Sequence, residues 1–207
     1  MIILYHCAGA RSLRCAWALE ELGLPYELRT MPFPARRSTP DYLAINPLGT
    51  VPCLVDGDVQ MNESAAILEY LCTRYDGRGL QVAPGDPAYG AWLNFIHYGE
   101  ATLSTPLATM VRYGMSLPEA EREPRVVADQ AGIFFQKLAP IKGVLAQHSF
   151  LVADRFTMAD ISVGYAIFLA NYLRLGDRID PIIMDYWTRL KGRPAYRAVR
   201  GKEIPGA

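Results

Sequence analysis

Residues 1–75 change hydrophobic period in an order that leaves few folds open. Met1 to Cys7 (MIILYHC) has the apolar density of a short buried strand. From Ser12 to Leu22 (SLRCAWALEEL) the period becomes helical, with Leu13, Ala16 and Trp17 on one face and Glu20 and Glu21 on the other. Gly23 and Pro25 then supply a helix stop. Tyr26 to Met31 alternates like a second strand, so the opening reads as a β-α-β unit with a right-handed crossover. After a proline-rich loop in which Pro40 to Leu43 opens a short helix, Val51 to Val55 and Val59 to Asn62 form two more strands. Asp56-Gly57 between them is a strong hairpin signal. Glu63 to Tyr75 closes the set as a helix with Ala66, Ile67, Tyr70 and Leu71 on its apolar face.

The order β-α-β then β-β-α is thioredoxin-like. Beyond it no strand pattern recurs. Tyr89–Met115, Pro118–Gln147, Thr157–Leu175 and Pro181–Arg193 all carry helical periodicity, and no fixed-period repeat is present. The expected class is therefore α+β: a thioredoxin-like N-terminal domain over residues 1–77, a linker at 78–87 rich in Gly and Pro, and an all-α helical-bundle C-terminal domain over 88–207. Hydrophobic residues make up 51% of the 207, enough for a real core in each domain. Lys plus Arg equals Asp plus Glu at 21 each, which gives no electrostatic footprint for nucleic acid. No apolar run reaches membrane-spanning length and the N-terminus lacks a leader pattern, so a cytoplasmic protein without a membrane partner is expected. Cys7, Cys15, Cys53 and Cys72 form no CxxC pair, which suits a reducing compartment. No metal-ligand spacing appears.

Two local features carry chemistry. Pro52 begins a strand, where a missing N–H is tolerated only at an edge or end. It is either a trans proline opening an edge strand or a cis proline that turns the N–H and C=O of Val51 toward a peptide-like ligand. Glu63-Ser64 opens the next helix. The pair either caps it in the ordinary way, or leaves a helix N-terminus and a hydroxyl to hold a carboxylate while Glu63 holds an ammonium.

Asn46-Pro47-Leu48-Gly49-Thr50-Val51-Pro52, followed by Glu63-Ser64-Ala65-Ala66-Ile67, resembles the glutathione S-transferase signature. Phe156-Thr157-Met158-Ala159-Asp160-Ile161-Ser162 resembles that family's structural capping box with its hydrophobic staple: Thr157 at N-cap, Asp160 at N3, Phe156 on Ile161. The resemblance covers nearly the whole chain. It implies glutathione as co-substrate, with Thr50, Val51 and a cis Pro52 along its cysteinyl part and Glu63 and Ser64 at its γ-glutamyl end. A basic residue of the preceding loop, Arg36 or Arg37, would face the glycine carboxylate.

Such chemistry needs a thiolate. A free thiol of pKa about 8.5 is only a few per cent ionised at neutral pH. Lowering it by about two units takes about 2.7 kcal/mol. The family supplies this from the loop after the first strand. The cysteine that bacterial beta-class members carry before a Ser-Leu pair is replaced here by Arg11. Gly9-Ala10-Arg11-Ser12-Leu13-Arg14 is similar to the Gly-Ala-Asn-Ser-Leu-Lys stretch of the bacterial glutathione-dependent β-etherases. Ser12 is the first candidate for thiolate donor, Arg11 the second as a nearby cation, and Tyr5 the third by analogy with tyrosine-type members. Cys7 reads as core.

A hydrophobic electrophile is expected against the helical domain, where Tyr98, Thr102, Thr105 and Met110 recur near helical spacing and Tyr165 marks a later helix; the same stripe also reads as core. Three outcomes share this scaffold: conjugation of glutathione to hydrophobic electrophiles, glutathione-dependent lyase, dehalogenase or reductase chemistry, and glutathione binding without catalysis. A homodimer is implied, with Tyr70 and Arg74 against Trp92 and Phe95. The tail from Gly201 to Ala207 suggests no role.

Overall fold

The computed structural model describes residues 1–33, 41–75 and 77–203. The chain divides into two compact units: Met1–Gln81 together with the segment from Lys191, and Val82–Leu190.

The first unit is thioredoxin-like. Strands β1 (Ile2–His6), β2 (Tyr26–Thr30), β3 (Cys53–Asp56) and β4 (Val59–Met61) form one mixed sheet in the order β2-β1-β3-β4. β1 and β2 are parallel, as a crossover through a helix requires, with Ile2 opposite Tyr26 and His6 opposite Thr30. β1–β3 and β3–β4 are antiparallel, the latter joined by the Asp56-Gly57-Asp58 turn with Gly57 at φ 60°.

Strand alternation splits the unit's core. Leu4 and Leu54 point to the face covered by α1 (Ser12–Leu22) and α3 (Ser64–Arg74), which also pack on each other. Tyr5, Cys7 and Cys53 point to the other face, where Met31 and Tyr42 of the short α2 (Tyr42–Ile45) cover them. α1 starts and stops where its period predicts, and Gly23 ends it in the left-handed region at φ 61°, returning its N–H to Glu20.

The last helix, α9 (Pro194–Glu203), departs from the expected division, which placed everything from 88 onward in the helical domain. Its Tyr196, Val199 and Glu203 are spaced along one face and buried. Tyr196 meets the fully buried Trp17 of α1 edge-on, centroids 4.9 Å apart, a contact worth roughly 0.5–1.5 kcal/mol beyond the area it buries. Around the rim, Arg193 bonds Glu21 at 2.6 and 2.8 Å, and Lys202 bonds Glu20 at 2.5 Å. Thus Gly201–Glu203, read as an uninformative tail, are helical, and Glu203 at their end is buried.

The second unit is all helical. α4 (Tyr89–His97) runs through a π-helical stretch, Tyr98–Ser104, into α5 (Thr105–Val111) and a second π stretch, Arg112–Ser116. Pro106 has no N–H to return to the preceding turn, and the widened turn comes just before it. Gly99 in that stretch has no room for a side chain: a Cβ there would lie 2.4 Å from Ser162 Oγ of α7 (Met158–Tyr172). α6 starts later than its period suggests, at Pro124 rather than Pro118, and runs to Leu145. Pro124 takes the N-terminal position at which proline is best tolerated. α8 (Pro181–Lys191) completes the unit. Among the described residues no helix is long and apolar enough to cross a membrane.

The capping box of α7 fixes the second unit's centre. Asp160 is buried and accepts from the N–H of Thr157 at 2.8 Å, the N–H of Leu151 at 3.1 Å and the hydroxyl of Tyr186 at 2.8 Å. Thr157 Oγ1 accepts in turn from the N–H of Ala159. Burial pushes the Asp160 carboxyl up to about 6, although these donors act the other way.

Candidate functional site

The signature loop is built to present backbone. Asn46 is fully buried; its Oδ1 accepts from the N–H of Leu48 at 3.2 Å and its Nδ2 donates to the C=O of Thr50 at 2.8 Å. Tyr42 donates to the same carbonyl at 2.7 Å. Gly49, at φ 63°, makes the bend that Asn46 closes. Thr50 is therefore held by its C=O while its side chain is exposed. The Val51–Pro52 peptide is cis. The β1–β3 ladder ends at Tyr5 with Cys53, so Val51 lies beyond it, and among the described residues no turn or loop bond uses its N–H or C=O.

Glu63 stands at the N-cap of α3 in an extended conformation, exposed, and no side chain caps the helix. The first intrahelical bond runs from the N–H of Ile67 to the C=O of Glu63 at 2.9 Å. The N–H groups of Ser64, Ala65 and Ala66 precede it and point out of the helix end. Ser64 is buried, and its Oγ accepts from Nη1 of Arg14 at 3.4 Å. Arg14 on α1 is itself fully buried. A buried guanidinium behind an uncapped helix N-terminus adds its charge to the dipole's positive end, an environment for a carboxylate. Arg14 was not among the residues expected to matter. Its signal in the sequence was a cation three residues into an otherwise buried helix.

The loop after β1 is compact. The N–H of Ala10 returns to the C=O of Cys7 at 3.1 Å, with Gly9 at φ 71°. Ser12 is fully buried, and its hydroxyl accepts from the N–H of Cys7 at 3.3 Å and lies 3.4 Å from the C=O of Cys7, to which it donates. That hydroxyl, expected at a thiolate, is engaged in closing the loop. Arg11 at the N-cap of α1 is half-buried and is the one charged side chain between Cys7 and Ser12. Tyr5 is buried in the cluster on the α2 face, its ring 5.2 Å from that of Tyr42, and its hydroxyl accepts from Nη1 of Arg29 at 2.7 Å. Cys7 is buried, as are the other cysteines. Arg36 and Arg37 lie outside the described residues.

The residues expected to face an electrophile are not gathered within the second unit. Tyr98 is half-buried and donates to the C=O of Lys137. Thr105 is exposed and donates to the C=O of Ala101 at 2.7 Å, a helix-surface bond. Thr102 is half-buried, and Tyr165 is buried with its ring 6.0 Å from that of Phe168. Met110 alone of the group lines a cavity of about 430 Å³, with Tyr113, Val127, Ala131, Leu173 and Arg178 among its walls. Trp92, expected at a dimer seam, is 3% exposed and belongs to its own unit's core. No cluster of His, Cys, Asp and Glu among the described residues could hold a metal.

Residues 4–79 match the profile of the glutathione S-transferase N-terminal domain. The chain is 31% identical to glutathione S-transferase 3 of Schizosaccharomyces pombe over 98% of its own length and 88% of that protein. A glutathione transferase crystal structure from Methylococcus capsulatus superimposes with a TM-score of 0.85 at 26% identity, covering 98% of both chains. One from Phanerochaete chrysosporium, in complex with oxidized glutathione, gives 0.84 at 26% identity over 98% of this chain and 97% of the other. By its likeness to these proteins over nearly its whole length, the chain belongs to the glutathione S-transferase family.

Proposed function

We propose that this glutathione S-transferase joins the glutathione thiolate to hydrophobic electrophiles, as a cytoplasmic homodimer. The observation that carries the reading is the uncapped N-terminus of α3 with Ser64 against the buried Arg14. The γ-glutamyl carboxylate would take the N–H groups of Ser64 and Ala65 and the Ser64 hydroxyl, and Glu63 the ammonium. The N–H and C=O of Val51 would pair with the cysteinyl residue as a short added strand. Arg37 would meet the glycine carboxylate and Thr50 would flank the backbone pairing.

The thiol then lies toward the Cys7–Ser12 loop. We assign its activation first to Arg11, whose guanidinium favours the anion by charge and takes no proton itself. Ser12 supports it by shaping the loop, and Tyr5, tied to Arg29, contributes to the wall. In the reaction the sulfur attacks an electrophilic carbon, a C–S bond forms, and the leaving group departs with its electron pair; the thiol proton has already passed to solvent. Tyr98, Thr102, Thr105, Met110 and Tyr165 remain the candidates for contact with the electrophile, Met110 foremost.

Isothermal titration with glutathione, paired with a conjugation assay on a dinitrophenyl halide, tests the reading. Expected are glutathione binding that weakens about tenfold in Ser64→Ala, the cost of a bond to a charged group, and a stable thioether product. Binding without product would leave a glutathione-binding protein, and oxidised glutathione as product would indicate reductase chemistry.

A further inference from the structure

Glu203 is the last described residue of α9, and its side chain is 1% exposed. A carboxylate this deep needs partners. Oε1 accepts from the N–H of Gly9 at 3.0 Å, in the middle of the loop that joins β1 to α1. The same oxygen stands 3.0 Å from Nε2 of the fully buried His6, at ion-pair distance without hydrogen-bond alignment. Oε2 pairs with Arg200 one turn back on α9. Burial acts to raise the Glu203 carboxyl, but His6, the Gly9 N–H and Arg200 outweigh it and hold it below the usual carboxylate range.

Three contacts thus converge on one side chain: Gly9 lies in the loop that carries Arg11 and Ser12, His6 ends the strand that leads into it, and Arg200 is on α9 itself. Gly9 sits at φ 71°, a left-handed conformation that glycine adopts without strain, and the Ala10 N–H returns to the C=O of Cys7 beside it. Ser12 ties one end to Cys7; Glu203 ties the middle from a residue 194 positions away. The stitches between α9 and α1 at Arg193–Glu21 and Lys202–Glu20 hold the helix in place without touching the loop.

We propose that Glu203 is a positioning residue of the glutathione site, latching the Cys7–Ser12 loop from the C-terminal helix. This rests on the reading of that loop as the place where the thiol is ionised. Glu203→Ala removes this acceptor from the Gly9 amide and loosens the loop that carries Arg11; Glu203→Gln keeps an oxygen acceptor for Gly9 and loses only the charge.

The test compares wild type, Glu203→Ala, Glu203→Gln and Lys202→Ala by amide hydrogen exchange at Gly9 in the free protein and by thiolate absorbance of bound glutathione across pH. Glu203→Ala should speed Gly9 exchange about tenfold or more, the loss of one bond to a charged acceptor, and move the bound thiol back toward its free pKa. Glu203→Gln should restore most of the Gly9 protection, and Lys202→Ala should leave both readings at wild-type values. Unchanged Gly9 exchange in Glu203→Ala, or an equal response from Lys202→Ala, would overturn the latch. The two readings fail separately: if wild type binds glutathione without ionising it, the thiol-site reading fails and with it the positioning role, whatever the exchange data say of the bond.

Discussion

The chain contains two helix starts of similar sequence and opposite use. At α7, Thr157 and Asp160 satisfy each other's backbone, and Asp160 goes on to collect Leu151 and Tyr186. At α3, Glu63 sits at the N-cap and caps nothing, while Ser64 turns inward to Arg14. Both are acidic-plus-hydroxyl pairs at a positive helix end. The closed one is buried and holds a unit together; the open one leaves its first N–H groups without a capping side chain, which is why we propose it as the carboxylate site. A helix N-terminus becomes a binding site only where the sequence declines to cap it.

The largest break in that comparison comes from Asp160→Ala. It strands buried donors from Thr157, Leu151 and Tyr186. Chemical denaturation should show a loss of about 3 kcal/mol or more, at about 1–3 kcal/mol for each buried donor left unsatisfied. Next, Ser64→Ala at the open end should cost under about 1 kcal/mol of stability yet weaken glutathione about tenfold. If instead it destabilises the fold as Asp160→Ala does, the two ends are not different in kind.

The third test is pH. The Asp160 carboxyl is raised to about 6 in the fold against an ordinary value near 3.8. The folded state therefore holds a proton that the unfolded chain has released between those values, and stability falls as pH rises through that window. The contribution is complete below the lower value and lost above the upper one, at a slope of at most about 1.4 kcal/mol per pH unit. Asp160→Asn should flatten that part of the stability–pH curve; Glu63→Gln should not. The smallest effect is Glu63→Gln itself, which leaves denaturation unchanged and weakens glutathione by no more than about fivefold, as for a solvent-exposed ion pair.

What was legible in the sequence follows the same division. Local signals worked where local physics decides: α1 spans Ser12–Leu22 as its period predicts, and the Phe156–Ser162 segment forms the capping box it resembles. The signature loop was recognisable because Asn46, Gly49 and Pro52 each do a job their residue type announces. Long-range contacts were not legible. Nothing in the serine's position tells that its hydroxyl is engaged by Cys7, because that depends on the loop's closure. α9 escaped notice because it is short and polar: its Tyr196, Val199 and Glu203 gain meaning only against Trp17, His6 and Gly9. The π-helical turns around Tyr98–Ser104 likewise arise from packing on α7 and from Pro106, and they shift the register by which Tyr98, Thr102 and Thr105 were grouped.

The most direct test of the central claim is an ultraviolet difference titration of glutathione into the protein across pH, for wild type, Arg11→Ala and Ser12→Ala. The account predicts a bound thiol with its pKa well below the free value of about 8.5, a shift largely lost in Arg11→Ala and reduced in Ser12→Ala through its loop. A shift lost in Ser12→Ala and intact in Arg11→Ala would return the role to the serine hydroxyl. Absence of binding, or binding with an unshifted thiol in the wild type, would contradict the account.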